Sequence, residues 1–155
     1  MTTLSPHFSL HEFAVTSSGL PNEIPATAIP RLRALCTVIL EPLRAALGTP
    51  ITVTSGWRSI EVNAAVGGSK YSQHLYGEAA DVKTTPYVDQ TGTTLSATRI
   101  VRALWDLGLD VDQVIGYDPA RGGHVHVSYT TARKNRREFL WCPAGGPKTY
   151  VRWER

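Results

Sequence analysis

The sequence predicts one domain, residues 1–155, in which α-helices and β-strands are mixed. One long segment repeats apolar residues every three or four positions, and several short segments are rich in β-branched residues between turn-forming residues. A chain of 155 residues can bury a sizeable core as one domain. Its 42% hydrophobic and 19% charged residues are typical of a globular protein.

The longest predicted helix covers residues 28–47. Its apolar face consists of Ile29, Leu32, Leu35, Ile39, Leu43 and Leu47. Pro30 suits the first turn of this helix, and Gly48 suits the position just past its end. Pro42 lacks an amide hydrogen, so we expect it to kink or divide the helix.

Two further helices are predicted. Ser59 is a candidate N-cap for a short helix over residues 60–66, and two glycines follow that helix. Residues 84–95 form a polar loop, and the next helix after it ends at Gly108. The apolar side of that helix consists of Ile100, Val101, Leu104, Trp105 and Leu107.

The predicted strands share β-branched residues and a period of two. Residues 50–55 alternate apolar and polar side chains, and residues 79–83 form a second strand of small residues. Residues 112–117 and 124–129 are separated by a turn-rich segment, so they are predicted to form a β-hairpin. Residues 148–155 are a candidate edge strand.

The side chains that could bind a metal follow the same period of two. His124 and His126 lie on one face of the second hairpin strand, with valines on the other. Two buried imidazoles are costly without partners, so one can ligate a metal while the other hydrogen-bonds to substrate or to water at the metal's open position. With His74 and Asp81 they provide the nitrogen and oxygen ligands that zinc takes. The sequence therefore predicts a zinc site.

Basic residues offer weaker signals. Arg58 lies where a strand gives way to a helix, and its guanidinium can bind a carboxylate in two places, although a structural role is the alternative. The run of Arg133, Lys134, Arg136 and Arg137 is predicted to be a solvated surface. The net charge of +3 and pI near 9.0 would suit a polyanion such as a cell wall or nucleic acid, but an ordinary surface without nucleic-acid binding is preferred.

The cysteines show no metal-binding motif, and the N-terminus shows no signal-peptide pattern. Cys36 falls in an apolar helical pattern typical of a buried thiol, and neither it nor Cys142 belongs to a Cys-x-x-Cys motif, so we assign them no metal. Residues 1–10 lack a basic leader and an apolar core, and no apolar run approaches the ~20 residues of a membrane span. We expect a cytoplasmic product without an export signal, and a monomer.

The motif Ser72-x-His74-x(6)-Asp81, followed by a strand with His-x-His, resembles the zinc D-alanyl-D-alanine carboxypeptidase and dipeptidase family. That family includes phage L-alanyl-D-glutamate endolysins and shares a fold with the hedgehog signalling domain. The resemblance extends over most of the chain and is specific as a combined pattern. It also includes Phe8-Ser9-x-x-Glu12-Phe13, the strand 51–55 with Gly56-Trp57-Arg58-Ser59, Asn63, Gly67-Gly68 and Asp112-Gln113-Val114-Ile115.

The resemblance implies an α+β fold, a central antiparallel sheet flanked by helices. It implies zinc bound by His74, Asp81 and His126, with Arg58 and Ser72 facing the substrate and gripping a carboxylate or carbonyl. The implied substrate is a peptidoglycan stem peptide that contains D-amino acids. The implied reaction is metal-assisted amide hydrolysis, by a D,D-carboxypeptidase or an endolysin-type endopeptidase that reaches the cell wall after release.

One position departs from the family pattern. Many members carry a catalytic Glu or Asp three residues before the last ligand, where this chain has Gly123. His124 is therefore the first candidate for the general base, because it shares a face with His126, and Asp118 is the second. The missing acid also favours an alternative, a non-catalytic wall-binding or virion structural domain. A zinc hydrolase of ordinary peptides is a further alternative.

Overall fold

The computed structural model describes residues 1–84 and 96–155, which contain eight strands and four α-helices besides short 3₁₀ turns. In chain order they are β1 (Thr3–Ser5), β2 (Phe8–Ser9), α1 (Ile29–Leu35), α2 (Glu41–Leu47), β3 (Ile51–Ser55), α3 (Ile60–Ala65), β4 (Ala79–Thr84), α4 (Ser96–Asp106), β5 (Gln113–Tyr117), β6 (Val125–Ser128), β7 (Glu138–Cys142) and β8 (Val151–Arg152). The predicted loop over residues 84–95 lies outside the described residues, apart from Thr84, which ends β4.

Six of the strands form one sheet in the order β3-β4-β6-β5-β7-β8, and β1 pairs with β2 separately. Neighbours in the large sheet are antiparallel except β5 and β7, which run parallel. The predicted hairpin is present as β5 and β6, and β8 is the predicted edge strand. The α+β class with a largely antiparallel sheet is confirmed.

The two faces of the sheet differ in chemistry. Val82, Val125 and Val127 point into a hydrophobic core with side chains from α1, α2 and α4. Since successive residues of a strand point to opposite faces, Asp81 and His126 lie on the face away from this core. They are also directly opposite each other in the β4–β6 register. The apolar alternation of these strands therefore places the polar residues together.

Pro42 does not divide the long helix. Helical backbone continues from α1 through a π-helical segment, Cys36–Leu40, into α2, and the Glu41 amide donates to the Cys36 carbonyl. In a regular α-helix the Pro42 ring would clash with the carbonyl four residues earlier, and a wider π turn relieves that crowding. Gly48 ends the helix with a φ of 64°, as its position predicts.

The basic run is exposed, as predicted, but two of its arginines also bind a buried carboxylate. Asp112 is fully buried, and its carboxylate forms ion pairs with Arg133 at 2.7 Å and with Arg136 at 2.9 Å. Both guanidiniums remain about half exposed. Burial raises the pKa of Asp112, but hydrogen bonds from both arginines outweigh it and hold that pKa far below its usual range. The segment after β6 is thereby joined to the start of β5.

Asp112→Asn is expected to destabilise the protein by about 2 kcal/mol, or roughly 5 °C in Tm, because two arginines lose the carboxylate that binds them. The folded-state pKa of Asp112 lies below its unfolded value, so its contribution is present above pH ~4 and lost as the pH falls below that. Urea unfolding at several pH values should show the two proteins converging in acid. A constant difference from pH 7 to pH 3 would contradict this role.

Both cysteines are buried free thiols, as predicted for Cys36. Burial raises the pKa of the Cys36 thiol, which keeps it protonated. None of the helices in the described part of the chain has the length and apolar character that crossing a bilayer requires.

Candidate metal centre

His74, Asp81 and His126 converge on the face of the sheet opposite the core. One ligand atom from each lies within 4.8 Å of the others. The Asp81 Oδ1 atom is 3.3 Å from His74 Nε2 and 3.2 Å from His126 Nδ1. His74 lies in a 3₁₀ turn, Gln73–Tyr76, while the other two project from β4 and β6. Among the described residues this is the one group of three such side chains close enough to hold a metal.

The ring orientation of His74 is set by a backbone carbonyl. Its Nδ1 atom lies 2.6 Å from the Gly56 oxygen, so Nδ1 carries the proton and donates it there. The other ring nitrogen, Nε2, is thereby turned toward Asp81. Gly56 is required at that place, since a Cβ there would lie 2.6 Å from the ring of Phe13. The residue that follows β3 therefore orients a candidate ligand that is distant in sequence.

Asp81 is held from two sides. Arg58 donates to its Oδ2 atom at 3.0 Å and to the Ser55 hydroxyl at 3.0 Å, while Oδ1 faces the histidines. Burial raises the pKa of Asp81, but the charge of His74 and hydrogen bonds from both histidines hold it well below the usual value. The carboxylate is therefore ionised and its orientation is fixed, as metal binding requires.

Burial also acts on His126, the candidate ligand on β6. Burial lowers the pKa of His126, which favours the neutral imidazole. A catalytic zinc site takes three protein ligands and leaves one position for water. Two imidazole nitrogens and one carboxylate oxygen beside an open cleft provide such a set. The residues present thus fit Zn²⁺, in agreement with the predicted cofactor.

The triad lies in an open, polar cleft with a volume of about 620 Å³. Arg58 and Ser72, the two predicted substrate-facing residues, both line it. The Arg58 guanidinium is also bound to Asp81, which the sequence did not predict. The Ser72 hydroxyl accepts from the His74 amide at 3.3 Å, so it also caps the turn that carries this candidate ligand.

The two candidates for the general base lie in different surroundings. His124 lines the cleft and stacks on Tyr117 with ring centroids 4.2 Å apart, and burial lowers the pKa of its imidazole. Asp118 is absent from the described residues that line the cleft, and its carboxylate accepts from the Ala120 amide at 2.9 Å. Only His124 is brought next to the triad.

Several cleft residues were missed by sequence reasoning. They are Gln113, Ile115, Tyr117, Arg133, Arg136, Lys148 and Tyr150. The period of two could have found those on β5, because Ile115 pairs with His126. No local signal identifies Lys148 or Tyr150, which reach the cleft through the tertiary arrangement of the C-terminal segment.

A fold of this class with a His-Asp-His centre defines a candidate metallopeptidase, and comparison with known proteins identifies the family. The profile of the Peptidase M15 family matches residues 6–108, and the chain belongs to that family. The zinc D-Ala-D-Ala carboxypeptidase of Streptomyces albus G is 46% identical over 59 residues. That alignment covers 37% of this chain and 23% of the relative, so the chain matches about a quarter of the relative's length.

Proposed function

We propose that this chain is a monomeric zinc peptidase that hydrolyses a bond in peptidoglycan stem peptides, as a D,D-carboxypeptidase or an endolysin-type endopeptidase acting at the cell wall. The observation that carries the proposal is the His74, Asp81 and His126 cluster in an open polar cleft. Membership of the M15 family and similarity to a zinc D-Ala-D-Ala carboxypeptidase support it.

The proposed ligands are His74 Nε2, an Asp81 oxygen and His126 Nδ1. When bound there, zinc would supply a Lewis acid that polarises the scissile carbonyl and lowers the pKa of a water. The protein contributes the orientation of its ligands: Gly56 fixes the His74 ring and Arg58 fixes the Asp81 carboxylate.

His124 is the proposed general base. His124 directly precedes β6 and is two residues from His126. Its imidazole borders the cleft, so it can accept a proton from the attacking water and deliver it to the leaving amine. Asp118 is the weaker candidate because its carboxylate is engaged by the Ala120 amide. Gly123 has no side chain that could accept a proton.

Arg58 and Ser72 are the proposed substrate-binding residues. Both border the cleft beside the ligands, where a guanidinium and a hydroxyl can donate to a carboxylate or carbonyl of the peptide. The bond from Arg58 to Asp81 gives this arginine a second task, since the same side chain orients a ligand. A donor near the scissile carbonyl would also stabilise the negative charge that develops there.

Arg58→Ala is expected to weaken Zn²⁺ binding by about 10- to 100-fold, because Asp81 loses the donor that orients it. Competition with a chromogenic chelator measures the affinity. Arg33→Ala, which removes an exposed arginine from α1, is the matched control and should bind zinc like the wild type. Unchanged zinc affinity in Arg58→Ala would confine this residue to the substrate.

The proposed function is tested by digesting purified peptidoglycan with and without a chelator, followed by mass analysis of the fragments. We expect new amino termini that disappear with the chelator and return with zinc, and the fragment masses identify the bond. Fragments released from the cell wall indicate an endopeptidase, whereas loss of a terminal D-residue indicates a carboxypeptidase. Cleavage of ordinary L,L-peptides alone would overturn the substrate assignment.

A second candidate function is favoured by Gly123, which stands where an acid is common in the family. A domain that retained the zinc-site fold could serve in cell-wall binding or in a virion without hydrolysis. This function would be supported by zinc-loaded protein that sediments with peptidoglycan but cleaves none of several peptidoglycans that differ in their stem peptides. Gly123→Glu separates the two further, since restored cleavage would identify the missing acid as the cause.

A further inference from the structure

The cleft extends along β5 on both sides of the metal centre. Ile115 pairs with His126, and Gln113 and Tyr117 lie two residues to either side of Ile115 on the same face. A strand rises about 3.3 Å per residue, so each of them is roughly 7 Å from the level of the metal ligands. Substrate groups on either side of the scissile bond can therefore meet different side chains.

The Tyr117 end of the cleft carries a positive charge. The Lys148 ammonium lies 5.7 Å from the Tyr117 ring centroid, on a ring that also stacks on His124. Tyr150 lines the same end, and its hydroxyl is 3.4 Å from that of Tyr117. A cation over an aromatic face is attracted by the ring quadrupole, which favours this position of the ammonium.

The backbone that presents Lys148 is fixed to the fold. Arg121 donates to three carbonyl oxygens of the preceding segment, those of Pro143 at 3.1 Å, Gly145 at 2.7 Å and Gly146 at 2.7 Å. A guanidinium with its planar set of donors is suited to hold several acceptors at once. Lys148 is therefore presented by an anchored loop.

Lys148 differs from the other cations in the cleft in its ion pairing. Arg58 is paired with Asp81 at 3.0 Å, and Arg133 and Arg136 are paired with Asp112 at 2.7 and 2.9 Å. Within residues 1–84 and 96–155, no carboxylate lies within 4.0 Å of the Lys148 ammonium. A cleft cation that has no counterion among these described residues can bind an anionic group of a ligand.

We propose that Lys148 binds a carboxylate of the substrate, so that the peptide carries a negative charge within about two residues of the scissile bond, on the Tyr117 side. The spacing follows from the roughly 7 Å between adjacent levels of the sheet and about 3.3 Å per extended residue. The carboxylate is either the C-terminal α-carboxylate or that of an acidic side chain. This inference rests on the proposed peptidase function and specifies the substrate of the same cleft.

The test compares zinc-loaded wild type, Lys148→Met and Lys148→Arg on two matched peptide pairs. One pair has a free or amidated C-terminus, and the other has an acidic side chain or its amide. KM and kcat are measured on cleavable peptides, and Kd on analogues with an uncleavable bond. Lys134→Met removes an exposed lysine that does not line the cleft and is the matched control.

Lys148→Met is expected to raise KM and Kd about three- to tenfold for the acid form of one pair and to leave its amide form unchanged. The pair that responds identifies the carboxylate. Lys148→Arg and Lys134→Met should keep the preference of the wild type, and the preference should shrink in 0.5 M salt. Arg121→Ala should lose part of it, because the loop that presents Lys148 is released.

Equal affinity of the wild type for acid and amide peptides would overturn the inference, as would an unchanged preference in Lys148→Met. These results are independent of catalysis because Kd is measured on uncleavable analogues. If the wild type cleaves no peptide but prefers the acid analogue through Lys148, the peptidase function fails and the carboxylate site stands. If cleavage proceeds and Lys148→Met matches the wild type, the carboxylate site alone fails.

Discussion

His126→Ala is expected to abolish stoichiometric zinc binding and to lower peptide hydrolysis by at least about 10³-fold. It removes one of three ligand side chains and leaves the buried Asp81 carboxylate without its hydrogen bond from β6. Losing the several kcal/mol that a metal contributes to the transition state corresponds to a rate loss of that size. Metal analysis after dialysis and assays with peptidoglycan fragments measure the two effects.

The control for this variant is His11→Ala, which removes an exposed histidine outside the cleft and should retain one zinc per chain. Circular dichroism establishes that both variants are folded. One zinc bound with wild-type affinity by His126→Ala would place the metal elsewhere and would contradict the proposed centre.

His124→Ala is expected to retain zinc and to lower kcat by about 10²- to 10⁴-fold, the usual contribution of a general acid–base group. The side chain lies beside the ligands but is not one of the three that converge. Zinc content, KM and kcat, measured on the same preparation, separate loss of proton transfer from loss of the metal. A His124→Ala variant that keeps the full kcat would contradict the proposed role of His124 as the general base.

Two further variants make this prediction sharper. His124→Phe preserves an aromatic ring that can stack on Tyr117 but cannot accept a proton, so it should be as inactive as the alanine variant. Asp118→Asn should stay close to wild-type kcat, because its carboxylate is bound to the Ala120 amide. The reverse result, an active phenylalanine variant and an inactive asparagine variant, would assign the base to Asp118.

Much of the fold was predictable because its elements follow local rules. The helical repeat predicted a helix over residues 28–47, and the structure has helical backbone over 29–47. Ser59 and Gly48 marked helix boundaries, and the period of two identified the hairpin. The strand β7 was not predicted. It pairs in parallel with β5, so its place depends on a partner distant in sequence. Pro42, which was expected to kink or divide the helix, does not divide it, since a π turn accommodates the ring.

The three converging side chains were predicted from residue type, spacing and a family resemblance. The family profile ends at residue 108, so it covers His74 and Asp81 but not His126. The third side chain comes close because β4 pairs with β6 in a register that puts Asp81 opposite His126. Burial of the alternate valines favours this register, since a slip by one residue would turn them out of the core.

The sequence by itself determined which side chains can bind a metal or transfer a proton and which strand face they occupy, because both depend on residue type and a period of two. Only the tertiary structure decided which charges meet. It formed the ion pairs of Asp112 with Arg133 and Arg136 and of Arg58 with Asp81. It also placed the Lys148 ammonium over the Tyr117 ring. Such pairings cost chain entropy and are compensated only when the whole core packs, so no local pattern specifies them.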